Sequence, residues 1–280
     1  MANVIEIIAK MHRVMPVPVK LILSKIRAGW SRHIGIKETN LLEQFPWTSP
    51  NVWEMIVSHY RNKTMPTVFE YGTGASSIWH IRNLIQQGGN YIGVEHDTDW
   101  FCRVLCALLE LGIRQQLCIG CEEEFIEGKK CDASLVLRKM NRTECHVTLK
   151  LRPPVESNDP AQRYAEYVRA ITDPCDVIIV DGRPRKACVN CVLDNHLIKP
   201  GGILVLMHAV RVKEGWLGYP ALKGESDYQP EVNRMIDLGG KIVDGNGVDR
   251  WPGINRRSPM SVAYSYPCEA CIVVINQGDR

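Results

Sequence analysis

The stretch Val68-Phe69-Glu70-Tyr71-Gly72-Thr73-Gly74-Ala75-Ser76 decides how this chain is read. An apolar, strand-like run carries an acid near its end and turns through Gly-x-Gly. Ser76 and Ser77 then open a helix-like segment. Glycine lets the backbone turn tightly and approach a ligand closely. The free amides in a helix's first turn can donate to ligand oxygens. Turns of this kind also occur with no ligand, so the meaning of this one depends on its surroundings.

Outward from the turn, short β-branched runs alternate with amphipathic segments. Strands are expected at Thr67–Tyr71, Tyr91–Glu95, Gln116–Gly120, Asp176–Asp181, Ile203–His208, Lys241–Val243 and Ala270–Ile275. Helices are expected at Ser76–Gln87, Asp99–Leu111, Ala161–Ile171, Pro184–His196 and Glu231–Leu238. Such alternation means βαβ units and a mostly parallel sheet. Right-handed crossovers then make it a doubly wound, Rossmann-like α/β sheet of about seven strands with helices on both faces. Residues 1–60 are helix-like, punctuated by Pro16, Pro18, Pro46 and Pro50, and read as an N-terminal helical extension to a domain over 61–280. Two alternating runs around Lys139–Thr143 predict a β-hairpin inserted at about residues 128–158. That segment and the Gly-, Pro-, Arg- and Ser-rich residues 245–267 are candidate lids.

Composition narrows the classes. The 280 residues hold 34 Lys+Arg against 31 Asp+Glu, a net charge of +3, without the concentrated basic excess of a nucleic-acid binder. Hydrophobic residues at 45% and charged residues at 23% are ordinary for a folded soluble domain. The 22 glycines and 16 prolines exclude collagen-like and low-complexity chains. The longest uncharged apolar stretch, Gly201–Val210, is about half a bilayer span, so no integral membrane segment is expected. The first twenty residues lack a long apolar core and a small-residue cleavage site, which predicts an amphipathic helix and a cytoplasmic protein. Eleven cysteines without an export signal read as mostly reduced thiols. The CxxC pairs Cys118/Cys121, Cys188/Cys191 and Cys268/Cys271 fall in helix- or strand-like segments rather than Gly-rich knuckles, and read as small buried side chains with no metal.

A second strand, Tyr91-Ile92-Gly93-Val94, ends in Glu95-His96-Asp97. In a doubly wound sheet this tip lies beside the glycine turn, on the carboxyl edge where ligands bind. A carboxylate there can accept both hydroxyls of a ribose, which suits an adenine nucleoside, either a dinucleotide or S-adenosylmethionine. A dinucleotide wants G-x-G-x-x-G. Here Ser77 stands where the third glycine would be, and Glu70 precedes the pair, where it would repel a diphosphate. A cationic amino-acid tail suits that acid better.

The Glu-x-Gly-x-Gly tip, Val94-Glu95-His96-Asp97, the segment Asp176–Arg185 (DVIIVDGRPR) and the turn Leu197–Gly202 follow one another in order. Together they resemble class I S-adenosylmethionine-dependent methyltransferases of the bacterial small-molecule type. The lead-in Phe45-Pro46-Trp47-Thr48 and the pair Tyr164/Tyr167 are similar as well. The resemblance implies a seven-stranded sheet with an antiparallel last strand, the cofactor S-adenosyl-L-methionine and a small-molecule acceptor. It implies that Glu70, Gly72 and Gly74 hold the methionine part of the cofactor, with Thr73 and Ser76 also among the cofactor-binding residues. Glu95 would bind the ribose with His96 beside it, Glu122 or a neighbour would meet the adenine, and Asp181 would face the sulfonium and the acceptor.

Asp181 also stands out without the resemblance. It closes an apolar run ahead of Gly182, and a carboxylate at that edge can orient or deprotonate an acceptor. Arg183 and Arg185 are candidates for recognising an anionic substrate. The fifth expected strand ends Met207-His208-Ala209 without an acid, which disfavours Mg²⁺ and leaves His208 as a candidate base. Trp47, Trp216 and Tyr219 are candidates to enclose the acceptor. A nucleoside-binding protein without turnover and an NAD-linked oxidoreductase are the competing readings. An oligomer is compatible with all three.

Overall fold

The computed structural model describes residues 41, 50–113, 117–120, 146–207, 229–243 and 270–274. Among these residues, eight strands form one sheet: β1 Thr67–Tyr71, β2 Asn90–Glu95, β3 Leu117–Gly120, β4 Val147–Leu151, β5 Cys175–Val180, β6 Ile198–Met207, β7 Lys241–Val243 and β8 Ala270–Val274. Their order is β3-β4-β2-β1-β5-β6-β8-β7. Neighbours from β3 through β6 pair in parallel, and β8 runs antiparallel to both β6 and β7. The helices are α1 Pro50–Arg61, α2 Ala75–Gln86, α3 Thr98–Glu110, α4 Pro160–Arg163, α5 Ala165–Val168, α6 Arg185–Asp194 and α7 Gln229–Asp237. None of the described helices is long and apolar enough to cross a membrane.

Period-two alternation sorts the strand residues onto two buried layers. Val68, Tyr91, Val177, Ile179, Ile203 and Val205 face one core with Trp53, Ile56 and Tyr60 of α1, Ile78, Ile81 and Leu84 of α2, and Phe101, Leu105 and Leu108 of α3. Phe69, Tyr71, Val94, Ile178, Val180, Leu204 and Leu206 face the other, with Tyr167 of α5, Cys188, Val189 and Val192 of α6, and Val232 and Met235 of α7. β5 is buried at every position, as a central parallel strand covered on both faces should be. α1, within the stretch that the sequence reads as an N-terminal extension, packs Trp53, Ile56 and Tyr60 into this core.

β4 departs from expectation. Val147–Leu151 was expected as one arm of an inserted hairpin, but it lies between β2 and β3, parallel to both. The other expected arm lies outside the described residues. Val147, Leu149 and Leu151 are buried, while Thr148 and Lys150 are half-buried. Local alternation is the same for a hairpin arm and for a sheet strand with one thinly covered face, so the pattern could not choose between them. Ala161–Ile171 likewise contains two short turns, α4 and α5, rather than one helix. Of the CxxC pairs, Cys188 and Cys191 sit one turn apart on α6 as free thiols. In the other two pairs, at least one cysteine lies outside the described residues.

At the far end of the sheet from the glycine turn, Asp176 ties three segments together. It accepts from Lys199 Nζ at 2.8 Å, Thr67 N at 2.9 Å and Lys63 Nζ at 3.2 Å. Burial works against its charge, but these donors outweigh burial and hold the carboxyl below its usual range. Its stabilising effect is therefore present above the ordinary carboxylate pKa and is lost as acid protonates it. Both lysines are partly exposed, so Asp176→Ala should cost about 2 kcal/mol near neutral pH. Urea unfolding at pH 7 and pH 3 checks this, and the difference between variant and wild type should shrink at the lower pH.

Candidate functional site

The site lies at the carboxyl edge where the chain, having built β2 and β4 on one side of β1, crosses to build β5 on the other. That is the switch point of a doubly wound sheet. Gly72 follows β1 with φ +87°, a conformation that favours glycine. A Cβ there would lie 2.5 Å from Gly182 Cα and 2.6 Å from Gly182 N. Asp181 N and Gly182 N both donate to Tyr71 O, at 3.0 and 2.7 Å. The β1 and β5 tips are thus stitched together with no room for side chains at their two glycines.

Every amide of the glycine turn is used within the protein. Gly72 N donates to Val94 O at 2.9 Å, Thr73 N to Glu95 Oε2 at 3.0 Å, and Gly74 N to Ser77 Oγ at 2.8 Å. A pyrophosphate-binding turn needs such amides for its ligand, so this turn is unsuited to that task.

Glu70 is fully buried on the same sheet face as Tyr91 and Glu95. Ser76 Oγ donates to its Oε1 at 2.6 Å; Ser77 Oγ at 2.7 Å and the Tyr91 hydroxyl donate to its Oε2. Burial nevertheless pushes the carboxyl up to about 7, against those hydrogen bonds and with help from the nearby Asp181 charge. Ser77, which in sequence was only the glycine that is missing, is the hinge of this arrangement, bonding both Glu70 and the turn. Tyr91 was also missed. Its signal was a phenol two positions before Gly93, on the strand face that carries Glu95.

Glu95 is 3% exposed, and its carboxylate is surrounded by donors. Oε1 accepts from His96 N at 2.8 Å and Asp97 N at 2.9 Å; Oε2 accepts from Thr73 N and, at 3.4 Å, Thr73 Oγ1. His96 Nδ1 is 2.8 Å from Glu95 Oε1 but outside hydrogen-bond geometry. The His96 ring packs at 5.5 Å from Tyr167 and 5.8 Å from Tyr164. Trp100, on the first turn of α3, donates its indole N–H to Thr73 O.

Asp181 Oδ1 accepts from Arg185 at 2.7 Å, and the same nitrogen donates to Asp181 O at 2.6 Å. Arg185 is therefore engaged with Asp181, whereas Arg183 is exposed. Glu70, Ser76 and Asp181 line a small open cleft whose other walls are Trp53, Ile56, His80, Ile179 and Met207. His80 stacks on Trp53 with ring centres 4.3 Å apart and meets the Tyr60 hydroxyl at 3.2 Å. Burial lowers its pKa to about 3, so it stays neutral. Trp47, Glu122, His208, Trp216 and Tyr219 lie outside the described residues.

No family model and no curated protein matches the chain. Solved structures do match it. One is the O-methyltransferase TomG from Streptomyces achromogenes, involved in tomaymycin synthesis and crystallised with S-adenosylmethionine (SAM), at 15% identity over 88% of this chain and 86% of that one, with a TM-score of 0.48. Another is an O-methyltransferase from Bacillus cereus in complex with S-adenosylhomocysteine (SAH), at 14% identity over 92% and 100%, with a TM-score of 0.47. A spermidine synthase from Thermotoga maritima matches at 13% over 80% and 58%, with a TM-score of 0.41. SAM-dependent O-methyltransferases thus stand among the matches.

Proposed function

We propose that this protein is a SAM-dependent methyltransferase acting on a small-molecule acceptor. One observation carries the reading: a glycine turn with all three amides spent internally, flanked by carboxylates on three neighbouring tips, Glu95, Glu70 and Asp181. Such an edge repels a diphosphate and favours a ligand bearing ammonium or sulfonium charge. The tight approach of Gly72 to Gly182 and the side of Gly74 where, among the described residues, a Cβ would meet only the Trp100 ring at 3.8 Å, suit a ligand laid across the tips. Glu70, Gly72, Thr73, Gly74 and Ser76 form the cradle, with Glu95 and His96 at its second side.

When bound, SAM supplies a methyl group already activated on a sulfonium. The protein's task is then alignment and exclusion of water. Asp181 lines the cleft beside an apolar wall of Ile56, Ile179 and Met207 and holds an orientation set by Arg185. In this reading it orients an acceptor hydroxyl or amine, with His208, next in the chain after β6, as the candidate base. The exposed Arg183 is a candidate contact for an anionic acceptor.

Titration calorimetry with SAH tests this reading. Micromolar binding is expected, with no detectable binding in Gly74→Arg, whose side chain would fill the open face of the turn. Release of SAH from SAM in the presence of candidate acceptors tests turnover. Absence of SAH binding, or binding of NADH in its place, would refute the assignment.

A further inference from the structure

We infer that His80 donates its Nε2–H to the carboxylate of the ligand's amino-acid tail. The inference rests on the proposed SAM-type ligand and deepens that reading. Such a tail carries two opposite charges. Glu70 and Asp181 suit its ammonium, but the same acids repel its carboxylate. The carboxylate therefore needs a donor in the cleft, and that donor should bring no positive charge to compete with the ammonium.

His80 meets both conditions. It stands one helical turn after Ser76 on α2, so the two share a face, and both line the cleft with Glu70 and Asp181. The Ser76 proton is already given to Glu70 Oε1, at 2.6 Å. The His80 ring is 1% exposed, and its Nδ1 lies 3.2 Å from the Tyr60 hydroxyl. Among the described residues its Nε2 has no hydrogen-bond partner. A buried polar group left so is costly, and a ligand oxygen in the cleft would relieve it.

The surroundings decide which nitrogen carries the proton. The Asn83 side chain hydrogen-bonds to the Tyr60 phenol and favours its ionised form, which marks Asn83 as the donor there. The phenol's own proton then goes to His80 Nδ1, and the ring proton sits on Nε2. Trp53, stacked on the ring at 4.3 Å, fixes its plane. Burial keeps the imidazole neutral, so it offers one oriented N–H and no charge.

His80→Phe tests this with two ligands, SAH and decarboxylated SAH, which keeps the ammonium and lacks the carboxylate. By calorimetry, SAH affinity should fall about tenfold in the variant, the worth of a hydrogen bond to a charged group. Affinity for decarboxylated SAH should stay within about twofold of wild type, because the lost interaction is absent from that complex. A loss equal for both ligands would mean that His80 only shapes the cleft, and the inference fails. It also fails if neither affinity changes. Should His80→Phe not fold, [¹⁵N]histidine spectra of the wild type decide. The His80 ring is recognised as one still neutral at pH 5, and its Nε2 signal at pH 7 should move with SAH and stay in place with decarboxylated SAH. Movement with both ligands, or with neither, overturns the inference. If wild type binds neither ligand, the proposed function falls as well; if it binds both and the His80 readouts fail, the inference falls alone.

Discussion

Gly182→Ala should abolish SAH binding and destabilise the protein by about 3 kcal/mol, the upper range for forcing a methyl into a closed space. The new Cβ would overlap the Tyr167 hydroxyl and lie 2.9 Å from Gly72 N and 3.0 Å from Gly72 Cα. A side chain can move aside, but Gly72 is main chain held by Val94 O and already at φ +87°. The β5 tip would have to separate from β1, breaking the hydrogen bonds from Asp181 N and Gly182 N to Tyr71 O and widening the cradle. Tyr167→Phe offers a control. Among the described residues the buried Tyr167 hydroxyl has no hydrogen-bond partner, so its removal alone should be neutral or mildly stabilising. Combined with Gly182→Ala, it should restore only part of the stability, because the clash with Gly72 remains. Urea unfolding and calorimetry on the three variants read this out, and a Gly182→Ala protein with native stability and affinity would show that the two tips are not locked together.

Glu70 should make stability fall as pH rises through neutrality. Its carboxyl titrates near 7 in the folded chain against 4.5 in the unfolded one, chiefly because of burial. Between those values the folded protein keeps a proton that the unfolded chain has released. The contribution is therefore fully present below 4.5, declines as pH rises, and is gone above 7. Its size is about 3 kcal/mol, since each pKa unit is worth about 1.4 kcal/mol. Glu70→Gln mimics the protonated form, and the hydroxyls of Ser76, Ser77 and Tyr91 can rotate to accept from its amide. The variant should match wild type at pH 5 and exceed it at pH 8, by denaturant midpoint. A ligand with a cationic tail would favour the ionised carboxylate, so SAH affinity of the wild type should rise from pH 6 to pH 8, and that of Glu70→Gln should not. Parallel stability curves for the two proteins across this range would show that Glu70 is already ionised when the protein folds.

Much of the architecture was legible because local pattern and tertiary role coincide. The continuous apolar run of β5 reads as a central strand, and the segments that became α2 and α3 show their helical faces directly. The order of acidic tip, glycine turn and second acidic tip located the candidate cradle before any contact was known. β4 was not legible as a sheet strand, because its alternation is the same whichever neighbours it pairs with. The hydrogen bonds of Glu95 were not legible either: an acid at a strand tip reads as an acceptor for ligands, and only the fold brings Thr73 N to its second oxygen.

By itself, then, the sequence determined the alternation of strands and helices, the two buried faces and the glycine–acid edge, since each depends on residues within a few positions of one another. Tertiary structure alone decided which strand lies between β2 and β3, which hydroxyls enclose Glu70, and which main-chain amides meet Glu95. Those outcomes depend on groups many residues apart in the chain competing for the same hydrogen bonds, and no local pattern records who wins.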